Sequence, residues 1–316
     1  MRIYHSNELL IVVALSLGVA LAGTAEAATL SDLVAPDTEP EVLGTGYGFC
    51  EGPAADAQGN VYFSDGKKDT IHFYEVGKPV VPFVTDALDA NGMMFNARGE
   101  LIVCQGAAFT VFAHDVKTKK RRALADKIDG GRFNEPNDLT IDRLGGFYFT
   151  DPNYRHRGQE TVRKEDAYYC SADGKITRVS TVCRTPNGVL LTADDKTLYL
   201  ADNRGKCIYK YDVLGPGKLA GETMWIDLGA GPDGMTLDEH GNLYVCCNRG
   251  KVKIYDSAGK SIGTLDVVAS NACFGGPDFK TLYLTSWDKF VAVQMKVTGV
   301  KPLPIREKQR MGANDE

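Results

Sequence analysis

The chain of 316 residues carries 36 Lys and Arg against 41 Asp and Glu, a formal charge of −5 at neutral pH. A mildly acidic chain without a basic stripe offers no footing for nucleic acid. The one basic cluster, Lys117 to Arg122 (KTKKRR), falls between strand-like segments and reads as a solvated turn.

In chain order, the first element is a leader. Arg2, the apolar run Leu9 to Gly23 and the small-residue site Ala25-Glu26-Ala27 predict a secretory signal peptide over residues 1–27. The run is short for a bilayer span, which weighs against an uncleaved anchor. Cleavage between Ala27 and Ala28 predicts an exported protein, periplasmic or secreted. Without Arg2, Glu8 and Glu26 the mature part, 28–316, has 35 basic and 39 acidic residues, a charge of −4. No second stretch is long and apolar enough for a membrane helix, so no membrane contact is expected after cleavage. A monomer or small homo-oligomer is expected. All eight cysteines lie in the mature part, where export permits disulfides. Cys104, Cys246 and Cys247 sit in apolar runs as small core residues, so at most one or two bridges are expected.

Next comes a repeat. Short apolar strands begin at Asn60 (NVYFSD), Glu100 (ELIVCQ), Gly146 (GFYFTD), Thr197 (TLYLAD), Asn242 (NLYVCC) and Thr281 (TLYLTS). Each follows a turn ending at Gly59, Gly99, Gly145, Asp195, Gly241 or Phe279. Most are trailed by an alternating run such as TIHFYE, CIYKYD or KVKIYD, which is hairpin grammar. A period of about 40 to 50 residues matches one four-stranded propeller blade. Six copies predict an all-β fold, a six-bladed β-propeller forming a single domain over 28–316. Glu41 to Gly48 (EVLGTGYG) is a candidate for the strand that closes the ring.

Eight residues before each turn terminus stands an oxygen-bearing side chain: Glu51, Asn91, Asn137, Asn187, Asp233 and Asn271. Each lies where the chain begins a blade's first strand, which lines the central channel of a propeller. Asn, Asp, Gly and Pro also make good turns for local reasons. Glu51, in CEGPAAD, is no turn former, and it favours a shared axial role. Glu51, Asn137, Asn187 and Asp233 offer two charges and two neutral oxygens, a set suited to one hard divalent cation such as calcium, other divalent ions being open. The five histidines are scattered and do not suggest zinc.

The stretches EGPAADAQGNVYFSD, RFNEPNDLTIDRLGGFYFTDP, TPNGVLLTADDKTLYLADN, GPDGMTLDEHGNLYV and NACFGGPDFKTLYLT resemble the blade signatures of the SMP-30/gluconolactonase/LRE family, its bacterial gluconolactonase-like branch above all. The resemblance runs from about Gly48 to Thr285. It implies a six-bladed propeller with a calcium or similar ion in the channel, held or adjoined by Glu51, Asn137, Asn187 and Asp233. It also makes Asp233 the acid/base candidate. Related organophosphate-hydrolysing propellers carry a second calcium. The positions concerned hold Thr236 and no histidine in NACFGG, so a second ion is not expected.

Three functions compete: a divalent-metal-dependent lactonase opening a sugar lactone to the aldonic acid, a hydrolase of another ester or an organophosphate at the same site, and a non-enzymatic binding propeller. A scaffold needs no Glu51 in a channel ring, which weighs against the third. Arg132 and Asn134, with Asn137, are candidates to bind the small-molecule lactone. Asp151 and Asp202 close the strands FTD and LAD, where acids often only terminate strands. Gly259-Lys260-Ser261-Ile262-Gly263 matches a G-x-S-x-G nucleophile pattern but falls in a hairpin turn, not a strand-to-helix elbow.

Overall fold

The computed structural model describes residues 28–155, 163–247 and 250–304. The expected signal peptide lies outside the described residues. Six left-handed turn residues mark the repeat: Gly59 (φ 84°), Gly99 (74°), Gly145 (90°), Asp195 (58°), Gly241 (79°) and Phe279 (58°). Glycine takes this conformation without a Cβ penalty. In four copies an acid or amide three residues earlier holds the turn. Asp56 Oδ1 accepts from Gln58 N and Asn60 N, Asn96 Oδ1 from Arg98 N and Glu100 N, Asp142 Oδ1 from Leu144 N and Gly146 N, and Asp238 Oδ1 from His240 N and Asn242 N, all at 2.8–3.0 Å. The polar residue therefore satisfies the backbone of each hairpin.

The chain is all-β with a propeller arrangement. Four antiparallel sheets have four strands each, and they begin at Ala90–Phe95, Leu139–Ile141, Pro186–Leu191 and Pro232–Leu237. A six-stranded sheet joins Asn271–Gly275, Thr281–Gln294, Glu41–Ala55, Val61–Asp65, Thr70–Tyr74 and Val81–Thr85 in that order. Six blades were expected, and among the described residues the larger hydrogen-bonded sheets number five. The difference arises because Glu41–Ala55 pairs on one side with Thr281–Gln294 (Glu41↔Ala292, Val42↔Val291) and on the other with Val61–Asp65. Thr281–Gln294 also folds back on itself at Trp287 (φ 58°), for Met295 N donates to Lys280 O at 2.8 Å. The expected closing segment, Glu41 to Gly48, is thus paired with the C-terminal strand.

Five strands carry a register residue and Asn137 stands two residues ahead of the sixth, Leu139–Ile141; these six strands adjoin one another in chain order, the last against the first. Gly92 N donates to Asn137 O (2.7 Å), Thr150 Oγ1 to Asn187 O (2.7 Å), Gly234 N to Ser270 O (2.8 Å) and Ser270 Oγ to Cys50 O (2.8 Å). A Cβ at Gly92 would overlap the Asp138 carboxylate, and one at Gly234 would overlap the Asn271 amide. Glycine permits that approach. Between neighbouring sheets apolar faces interlock, as with Tyr62 and Ile71 against Leu101 and Val103, and Ala201 and Ile208 against Leu243 and Val245. Full burial of such a side chain contributes about 1.5–3 kcal/mol.

The eight cysteines are free thiols, seven buried and Cys273 half-buried. No helix among the described residues is long and apolar enough to cross a membrane. Ser261 of the G-x-S-x-G match starts the strand Ser261–Val268 beyond a hairpin turn, as expected. The KTKKRR segment joins Thr110–Asp115 to Arg121–Ala125, with Arg122 paired to Glu100 at 2.9 Å.

Candidate functional site

Five of the six register residues are buried (Glu51, Asn137, Asn187, Asp233 and Asn271), and Asn91 is half-buried. A cavity of about 210 Å³ brings Glu51, Asn91, Asn137, Asn187 and Asp233 together. Asn271 does not line it, and its Oδ1 accepts from Ala272 N at 2.8 Å.

A repeated device holds three of these residues in place. Asp65 accepts from Gly48 N (2.8 Å) and Phe49 N (3.0 Å), Asp151 from Asn134 N and Glu135 N (both 2.8 Å), and Asp202 from Arg184 N (2.9 Å) and Thr185 N (3.1 Å). The donors stand three and two residues before Glu51, Asn137 and Asn187. Each aspartate ends the strand that follows the register residue in the chain and is fully buried. Asp151 and Asp202 therefore do more than terminate strands. They anchor the backbone that delivers the next channel residue.

Asp138 lies beside the register, buried, with Oδ1 accepting from Leu139 N at 2.9 Å. Its counterparts in four other copies are glycines, Gly52, Gly92, Gly188 and Gly234. Burial pushes the Glu51 carboxyl up, against the lowering effect of its Gly52 hydrogen bond. Burial and then repulsion from Glu51 push Asp233 well up, and the same two causes take Asp138 to about 8. Three carboxyls thus share one desolvated channel and each resists charging the next.

The rim is made of residues that the sequence did not single out. Tyr154 and Arg155 line the cavity from one loop, and Glu135 pins that loop by accepting from Tyr154 N (2.9 Å) and Arg155 N (2.8 Å). Arg155 makes an ion pair with Asp89, another lining residue. Asn187 Nδ2 donates to the Tyr154 hydroxyl at 3.0 Å. A signal for the anchors was present in the shared endings FSD, FTD and LAD. Nothing repeats for Tyr154 and Arg155, whereas Asp89 and Glu135 both stand two residues before a register residue.

Arg132 and Asn134 do not reach the cavity. Asn134 is buried, with Nδ2 donating to Asp151 O (3.1 Å) and Oδ1 accepting from Arg163 N (2.8 Å). The Arg132 guanidinium stacks on Phe109 at 3.7 Å and donates to Phe133 O at 2.8 Å. Both side chains hold the loop together where substrate binding was expected of them.

The donor set suits a hard divalent cation on chemical grounds. The buried carboxylates of Glu51 and Asp233 and the buried amides of Asn137 and Asn187 line one cavity, and a cation would relieve the repulsion between Glu51 and Asp233. Among the described residues the one basic side chain lining the cavity, Arg155, is engaged by Asp89. Among the described residues no three His, Cys, Asp or Glu side chains gather to hold a metal by themselves. The amides of Asn137 and Asn187 would therefore have to contribute.

Comparison with known proteins agrees with this architecture. The family model described as "SMP-30/Gluconolactonase/LRE-like region" matches residues 49–288. A gluconolactonase of Zymomonas mobilis is 28% identical over 296 residues, covering 83% of each chain. The solved structure of a gluconolactonase from Xanthomonas campestris superposes with a TM-score of 0.76 at 24% identity, covering 83% of this chain and 91% of that one. Regucalcin from Agrobacterium tumefaciens, described as a calcium-binding protein, superposes with a TM-score of 0.73 at 18% identity, covering 85% and 98%. The two structural likenesses speak for the fold.

Proposed function

The chain belongs to the SMP-30/gluconolactonase/LRE-like family, and from that premise we propose that it is a hydrolase that opens a sugar lactone, of the glucono-1,5-lactone kind, to the aldonic acid. The observation that carries this proposal is the convergence of Glu51, Asn137, Asn187 and Asp233 on one buried cavity. The gluconolactonase relative supports a lactone as substrate.

Glu51, Asn137, Asn187 and Asp233 would hold one divalent cation, with calcium suggested by the regucalcin neighbour. Bound there, the cation would supply Lewis-acid polarisation of the lactone carbonyl. Asp233 is the group that takes a proton from the attacking water on its carboxylate and returns it to the departing ring oxygen. In the cation-free channel burial and repulsion from Glu51 raise its proton affinity, and a bound cation would lower it again. Tyr154 steadies the Asn187 amide through their hydrogen bond. Asp89 and Arg155 at the rim are placed to meet the sugar hydroxyls, and Glu135 keeps their loop in position.

Three further parts of the proposal rest on sequence and topology. The six-stranded sheet is taken as two blades joined through Glu41–Ala55, which makes six blades in one domain over residues 28–316. The bacterial gluconolactonase-like branch is assigned from the blade signatures. Export with cleavage between Ala27 and Ala28 is inferred from the leader, and N-terminal sequencing of the product tests it.

An indicator assay across aldonolactones, simple lactones and a phosphofluoridate tests the substrate class. Acid release fastest from aldonolactones supports the proposal. Activity confined to the phosphofluoridate refutes it.

A further inference from the structure

Beside the lactone cavity lies a second, open cavity of about 700 Å³, lined by Arg163, Lys164, Glu165, Cys183, Arg184 and Arg204. The two are neighbours. Arg184 stands three residues ahead of Asn187, and Glu165 Oε2 accepts from Asn153 N at 3.1 Å, next to Tyr154. Among the described residues four cationic side chains meet one carboxylate here, in a chain whose net charge is −5.

The cations are poorly compensated. Among the described residues Lys164, Arg184 and Arg204 make no ion pair, and Arg163 reaches Asp129 only at 4.0 Å. Lys164 Nζ donates to Thr181 O at 3.0 Å. The backbone beneath is fixed by buried groups. The Asp202 carboxylate accepts from Arg184 N, Thr185 N and Gly205 N at 2.9–3.1 Å, so one acid holds the segment bearing Arg184 and the turn bearing Arg204. Asn134 Oδ1 holds Arg163 N. The backbone carrying these side chains is thus placed before any ligand arrives, which lowers that part of the ordering cost of binding.

We propose that this cavity is an oxyanion-binding site, taking a phosphate or carboxylate group among Arg163, Lys164, Arg184 and Arg204. Guanidinium groups present planar donor forks that match the paired oxygens of such anions, and charge-assisted hydrogen bonds are the strong ones. The anion has two possible sources: a charged substituent on the lactone bound next door, or a separate anion. The site itself does not depend on the lactone proposal.

Calorimetry with inorganic phosphate on the full chain tests it. Saturable binding is expected, weakened roughly tenfold or more in Arg184→Ala/Arg204→Ala, since each hydrogen bond to a charged group carries about a factor of ten. Lys117→Ala/Lys120→Ala removes the same charge from the distant exposed turn and is expected to leave binding unchanged. No saturable binding at millimolar phosphate, or an equal loss in the distant variant, overturns the site. Hydrolysis assays with phosphate present separate the sources. Competition against a phosphate-bearing lactone but not a neutral one assigns the anion to the substrate, and no effect on either assigns it to a separate ligand. Equal inhibition of both places phosphate in the lactone cavity and overturns the assignment. A protein that binds phosphate as expected yet opens no lactone refutes the lactone proposal and leaves this site standing.

Discussion

Asn187 and Tyr154 are joined by a 3.0 Å hydrogen bond from the amide Nδ2 to the phenol oxygen. The bond ties a channel residue of one sheet to the loop that rims the cavity from the sheet before it. Its role in the account is to orient Asn187 toward a cation. Tyr154→Phe is therefore expected to weaken cation affinity roughly tenfold, the scale typical of groups that orient a metal ligand. The melting temperature should stay within a few degrees (~2–4 °C). Calorimetry with calcium, paired with a thermal scan, checks both, and unchanged affinity would remove Tyr154 from the site.

Cation binding should depend on Glu51 and Asp233 together. Glu51→Gln and Asp233→Asn keep the shape of each side chain and remove its charge, and ligand charge count sets calcium affinity. Each substitution should weaken binding by more than roughly tenfold. The wild-type protein should melt higher with calcium than with chelator, by mass action on the folded state. Ring closure does not use the cation, so the chelated chain should still give a β-rich circular dichroism spectrum.

The buried carboxyls predict a pH signature. In the cation-free fold Glu51 is pushed up to about 7 and Asp138 to about 8, by burial first. The unfolded chain titrates these groups near pH 4. Between those limits the fold binds more protons than the unfolded chain, so their contribution is full below about pH 4 and declines as pH rises to about 8. Chelated wild-type protein should lose stability over this window relative to Glu51→Gln, and calcium should cancel the loss. A difference between the two proteins that stays flat with pH would contradict the cluster.

The anchors should matter to the fold more than to the chemistry. Asp151→Ala leaves Asn134 N and Glu135 N without their buried acceptor. The expected cost is about 2–6 kcal/mol, from two orphaned donors at about 1–3 kcal/mol each. Denaturant unfolding measures it. A loss under about 0.5 kcal/mol, within the range of an ordinary surface substitution, would show that the loop is held by other contacts.

Much of this was legible in the sequence where one physical constraint recurs. The turn residues repeat because every hairpin needs the same left-handed residue, and Asp195 and Phe279 could be placed by spacing although neither is glycine. Glu51, Asn137, Asn187 and Asp233 share a constant offset from those turns, and the structure brings the four to one cavity. Tyr154 and Arg155 escaped because each occurs in one copy, where spacing carries no information; Asp89 and Glu135 share an offset in only two copies. Spacing could not place Arg132 and Asn134 relative to the cavity either, and they do not line it. They are polar residues next to the channel, but Asn134 spends its amide on Asp151 and Arg163. The number of separate sheets was hidden too, since Glu41–Ala55 runs from one blade-like unit into the next.

The central claim is that Asp233, in a cation-holding cavity, opens sugar lactones. A pH-stat assay with glucono-1,5-lactone measures this directly, using chelated wild-type protein, the same protein after calcium is restored, and Asp233→Ala with calcium. The account predicts acid release above the spontaneous rate only with calcium and wild-type Asp233, and a fall of roughly a hundredfold or more in the variant, the usual contribution of a positioned acid or base. A rate that chelation leaves untouched, or an Asp233→Ala protein as fast as wild type, would contradict it.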